Sequence, residues 1–102
     1  MIRAEFVIRD NKIQSFSTKG HAGLAPAPHD VLCAAVSAMA MLTVNNITDS
    51  FGVPATVSVE EESATIDLSL DNGDERGCIL IAGFKRELEI LAEDYPDHVR
   101  IN

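Results

Sequence analysis

Ile2, Ala4, Phe6 and Ile8 alternate with Arg3, Glu5 and Arg9 at the start of the chain. That period of two predicts a β-strand with one buried side. Asp10-Asn11-Lys12 supplies turn chemistry, and residues 13–18 return as the second strand of a hairpin. The stretch 20–29 then breaks the pattern. With Gly20, Gly23, Pro26 and Pro28 and neither a helical nor a strand period, it reads as a loop. Asp30, a favoured N-cap residue, opens a helix expected to reach residue 47 or 48, ahead of the breaker Asp49-Ser50-Phe51-Gly52-Val53-Pro54. Only Ser37 and Thr43 are polar within 31–44, so this helix should be mostly buried, with one face available to another subunit.

Further on, Val57 and Val59 alternate with Ser58 and Glu60, and Ala64, Ile66, Leu68 and Leu70 alternate with Thr65, Asp67 and Ser69. Two more half-buried strands are expected, joined by an acidic turn at Glu61-Glu62-Ser63. A loop at 71–74 caps a second helix. In it Cys78, Ile81, Phe84, Leu88, Leu91 and Tyr95 form one apolar stripe that Pro96 ends. Residues 98–101 add a short edge strand. The order β-β-α-β-β-α with a last short β predicts an α+β two-layer sandwich, a mainly antiparallel sheet with both helices on one face.

The 102 residues fit one domain, small enough to gain stability from a partner subunit. A content of 46% hydrophobic and 24% charged residues is that of a globular chain rather than a disordered one. The net charge of −8 speaks against nucleic acid or an anionic membrane surface as partner. No uninterrupted apolar run approaches the ~18–20 residues needed to span a bilayer. Arg3 and Glu5 also stand where a signal peptide would need its apolar stretch. The two cysteines are too few for a disulfide framework, which suits reduced thiols in a cytoplasm.

Chemistry gathers between residues 20 and 37. With Asp30 as N-cap, Cys33 falls in the first helical turn, where unpaired N–H groups and the helix dipole favour a thiolate. His21 is placed to fold back onto Cys33 as general base and proton donor, and Ser37 lies one turn further along the same face. Asp30 opposes the thiolate by its charge, yet helps if helix N–H groups hold its carboxylate or if it orients the histidine. First-turn amides, or those of the Gly20–Gly23 loop, are the available oxyanion donors. The plainer alternatives are a packed cysteine, a solvated histidine, a serine bonded back to its own helix and a simple cap. Cys78, on the core stripe, is structural. His21, His29, Asp30 and Cys33 could instead form a zinc site, but their spacing matches no zinc pattern, so neither metal nor cofactor is expected. A redox pair of Cys33 with Cys78 has no C-x-x-C spacing behind it.

Gly20-His21-Ala22 followed by Asp30-Val31-Leu32-Cys33-Ala34-Ala35-Val36-Ser37 resembles the signature of Prp, the bacterial ribosomal-processing cysteine proteases. The pattern G-H-A, then D-[IV]-[VIL]-C-A-A-[VI]-S, recurs with the same spacing, and the order of elements extends the resemblance over nearly the whole chain. The resemblance implies a small cytoplasmic homodimer that removes a short N-terminal extension, ending in an apolar, aromatic-containing motif, from a large-subunit ribosomal protein. It makes Cys33 the nucleophile and His21 the base, with Asp30 and Ser37 in supporting positions. The chain departs from the family at Pro28, where glycine is usual, and at Ala25-Pro26-Ala27, which replaces a more polar stretch; prolines stiffen this loop. Two competing functions are a non-enzymatic dimeric interaction module in ribosome assembly and a zinc-dependent hydrolase.

Overall fold

A computed structural model describes residues 1–21 and 30–102 of the chain. The sequence-based expectations for Gly23, Pro26, Pro28 and His29 lie outside the described residues. Strand β1 (Ile2–Arg9) and β2 (Lys12–Lys19) form a hairpin. Asp10 and Asn11 both have positive φ, 53° and 62°, as a two-residue type I′ turn requires. Helix α1 (Val31–Asn45) follows, then β3 (Ala55–Glu60), β4 (Thr65–Leu70), helix α2 (Glu75–Asp94) and the short β5 (Val99–Ile101). The sheet order is β3-β4-β2-β1-β5, antiparallel throughout except for β5, which runs parallel to β1.

One face of this sheet carries Ile2, Ala4, Phe16, Thr18, Ile66, Leu68 and Leu70, all buried against the two helices. Phe84 of α2 meets Phe16 edge-on at 4.9 Å and Phe6 at 6.1 Å, which seats that helix on the first hairpin. Asp74 caps α2 by accepting the Arg76 amide at 2.9 Å. A two-layer α+β sandwich with both helices on one face is therefore the architecture, as the alternation of apolar positions predicts.

Four local expectations need correction. Helix α1 proper ends at Asn45 and the chain continues as a π-turn through Asn46–Ser50, with Thr48 Oγ1 bonding back to the Val44 carbonyl at 3.0 Å. The segment Val31–Ser50 is long and apolar enough to cross a bilayer by length and composition, although Ser37, Thr43, Asn45 and Asn46 interrupt its apolar run. Leu32, Val36, Ala40, Val44 and Ile47 nevertheless pack one side of it into the core. Ile8, expected inside, is exposed; it lies at the hairpin end of β1, just past a register shift between Val7 and Ile8. Ala64 belongs to the turn, with φ 50°, rather than to the strand.

The fourth correction concerns β3. Val57 and Val59 oppose Leu68 and Ile66, and so share the helix-side face, yet they are 37% and 52% exposed. Helix α1 lies over β4 and α2 over β2, so among the described residues the edge strand stays uncovered.

Candidate active site

The last residues of β2 bring the chain to the N-terminus of α1. Gly20 has φ +97°, a conformation L side chains rarely adopt, and a Cβ there would lie 2.6 Å from the Met1 carbonyl oxygen. Its amide donates to the Ser63 carbonyl at 3.3 Å, which ties this corner to the β3–β4 turn. His21 follows immediately and is exposed.

At the other wall, Asp30 is only 5% exposed, and its Oδ1 accepts the backbone N–H of Cys33 at 2.9 Å. Such a cap satisfies one of the orphan donors of the first turn and fixes where the helix begins. Cys33 is half-buried, and its Sγ stands 3.5 Å from His21 Nδ1. That is within hydrogen-bonding reach of a sulfur atom.

Cys33, His21 and Ser37 line one cleft of about 300 Å³. Met41, Val59, Ala64 and Ile66 give it an apolar wall, while Glu60, Glu61 and Thr65 stand at its polar side. Of the residues singled out in sequence, the structure thus brings His21, Cys33 and Ser37 together, with Asp30 behind them as cap and Gly20 as the corner that presents His21. Cys78 is elsewhere, buried on α2 beside Gly73 and Gln14. Among the described residues, no three His, Cys, Asp or Glu side chains are grouped to hold a metal ion.

Sequence reasoning missed the far wall. Met41 had a signal, since it continues the Cys33–Ser37 face by one more helical turn. Val59, Glu60, Glu61 and Ile66 had none, because only the pairing of β3 with β4 carries them to the cleft.

The family model described as cysteine protease Prp matches residues 1–100. The ribosomal processing cysteine protease Prp of Bacillus subtilis (strain 168) is 30% identical over 97 residues, covering 90% of this chain and 87% of that protein. In fold, the chain is similar to the Staphylococcus aureus ribosomal processing protease Prp solved with a covalently linked product peptide. There the TM-score is 0.91 at 22% identity, over 100% of this chain and 98% of that one. A Streptococcus mutans protein gives a TM-score of 0.87 at 28% identity, over 100% of this chain and 92% of its own. A cysteine protease is neither a non-enzymatic module nor a zinc hydrolase, and those two alternatives are set aside. The chain belongs to the Prp family of ribosomal processing cysteine proteases.

Proposed function

We propose that this chain, acting as one domain, removes a short N-terminal extension from a large-subunit ribosomal protein, with Cys33 as nucleophile and His21 as base. The observation that carries the assignment is the 3.5 Å approach of Cys33 Sγ to His21 Nδ1 over an apolar-walled cleft. His21 takes the thiol proton, and the sulfur attacks the scissile carbonyl carbon to form a C–S bond. The tetrahedral oxyanion collapses, the C–N bond breaks, and His21 returns the proton to the leaving amine. Water, deprotonated by His21, then hydrolyses the thioester and releases Cys33. Asp30 holds the helix start in place, and Ser37 offers a hydroxyl to the reacting groups.

The cleft fits the substrate class. Its wall of Met41, Val59, Ala64 and Ile66 accepts an apolar or aromatic side chain. The net charge of −8 favours encounter with a cationic ribosomal protein. In the cytoplasm the enzyme acts as a homodimer. An outer stripe of α1 with Val31 and Leu42 is exposed, and no charged residue occurs between Asp30 and Asp49, so two acidic copies meet there without charge repulsion.

The test is cleavage of the host's own ribosomal precursor by wild type and Cys33→Ala in parallel, read by mass spectrometry. A single N-terminal cut made only by wild type is expected. An intact precursor with both proteins folded, or a cut made equally by both, overturns the assignment. Light scattering at increasing concentration reports the dimer.

A further inference from the structure

Strand β3 forms one edge of the sheet and ends in the cleft, where Val59 and Glu60 belong to both. Its backbone polarity can be read from its register. Pro54 and Asp71 are opposed one step beyond Ala55 and Leu70, and the Asp71 amide donates to the Pro54 carbonyl at 3.1 Å. Hydrogen-bonded pairs in an antiparallel ladder alternate, so Thr56, Ser58 and Glu60 spend their amides and carbonyls on β4. Ala55, Val57 and Val59 therefore turn theirs away from the sheet.

Little in this edge discourages pairing, since its one charged residue, Glu60, stands at the strand's end. Its sequence Ala55–Glu60 contains no Lys, Pro or Gly, and its register with β4 runs without a bulge. Natural sheets usually blunt an exposed edge with such devices. The opposite edge, β5, has three residues and lies across the whole sheet from Cys33.

We propose that an extended segment of the peptide substrate adds to β3 as a further strand. It pairs with the outward N–H and C=O groups of Ala55, Val57 and Val59, which brings its scissile bond to Cys33. The proposal rests on the assignment of Cys33 as the nucleophile of an endopeptidase. Strand addition supplies affinity through main-chain bonds and specificity through alternate side chains. Substrate residues opposite Val57 and Val59 face the helix layer and enter the apolar wall with Met41 and Ile66. Those between them face solvent beside Thr56 and Ser58. Glu60, Glu61 and Glu62 at the end of the strand favour a peptide that is basic there.

The test uses Val57→Pro, which deletes an outward N–H and leaves the β4 ladder whole. The substrate is a synthetic peptide spanning the N-terminal extension and cut site of the host's large-subunit ribosomal protein. The expected result is a loss of about tenfold or more in kcat/KM, carried mainly by KM, since a main-chain bond is lost and the ring obstructs the incoming strand. Alkylation of Cys33 by iodoacetamide should stay at the wild-type rate. A folded Val57→Pro enzyme with wild-type kcat/KM overturns the proposal and leaves the Cys33 assignment standing. A wild type that leaves both peptide and precursor whole overturns the assignment itself.

A second measurement is independent of how that variant folds. In Cys33→Ala, the peptide should slow hydrogen exchange at the Val57 and Val59 amides by about tenfold and leave Ser58, already bonded to β4, unchanged. Unaltered exchange at Val57 and Val59 overturns the proposal. So does protection that appears without peptide and grows with protein concentration, which would make β3 a seam between two copies.

Discussion

The Met1 carbonyl oxygen lies 2.6 Å from the position a Cβ on Gly20 would occupy, and the residue after Gly20 is His21. Close approach and a φ of +97° both require glycine here. The Ile2 amide donates to the His98 carbonyl at 2.8 Å, so the first residues are pinned and cannot simply withdraw. Gly20→Ala is expected to cost about 2 kcal/mol in urea denaturation. It should also lower peptide cleavage, because relief of the strain swings His21 away from Cys33. A variant with wild-type stability and turnover would contradict the strain argument.

Cys33→Ala is expected to abolish peptide cleavage with an unchanged circular dichroism spectrum, since the side chain is only half-buried. His21→Ala should lower kcat/KM by about a thousandfold, within the range of general acid–base catalysis. In wild type, iodoacetamide should label Cys33 well ahead of buried Cys78, as mass mapping of the alkylated protein will show. Turnover undiminished in either variant would remove that residue from the chemistry.

Asp30 separates capping from charge. Asp30→Ala deletes the acceptor for the Cys33 amide and should lower stability by about 1 kcal/mol, whereas Asp30→Asn keeps an acceptor and should lose less. If capping is its contribution to activity, Asp30→Asn retains most of the cleavage rate and Asp30→Ala does not. Equal loss of cleavage in both, at equal stability, would point to the carboxylate charge instead.

Asp74 provides the pH prediction. The Arg76 side chain, hydrogen-bonded to it at 2.8 Å, and the Arg76 amide together hold its carboxyl down to about 2. A depressed folded pKa adds stability above the ordinary carboxylate value and loses it as pH falls toward the folded one. The stability that this cap adds at the start of α2 is therefore whole in mildly acid solution and falls away between about pH 4 and pH 2, while the folded protein keeps the carboxylate itself ionised down to about pH 2. An NMR titration should place the Asp74 midpoint near 2, and Arg76→Ala should raise it toward the usual carboxylate range. A midpoint unmoved in Arg76→Ala would show that the ion pair is not the cause.

Much of this was legible in the chain because the buried face repeats with a fixed period. Phe16, Ile66 and Leu68 declare a strand face, and Cys78, Ile81, Phe84 and Leu88 a helix stripe, each from local spacing alone. The approach of Cys33 and His21 came from a motif, and local spacing explains the cap behind it. Strand order is a different kind of information. Val57 and Val59 alternate like any half-buried strand, but whether a helix lies above them depends on which strands sit at the middle of the sheet. Alternation cannot report that. The π-turn at Asn46–Ser50 likewise gives no periodic signal, since its residues suit an ordinary last turn.

Helix α1 carries Cys33 in its first turn and seats Leu32, Val36, Ala40 and Val44 in the interior along its length. An α-helix advances about 1.5 Å per residue, and a displacement of about 1 Å at a reacting atom is enough to slow an enzyme a hundredfold. The distance between sulfur and imidazole is thus gauged by buried side chains that do not line the cleft. With Cys33 as the proposed nucleophile, repacking at Ala40 or Val44 is expected to act as a fine adjustment of the reaction, and alleles that leave stability intact but slide this rod along its axis would look, in an assay, like damage to the site.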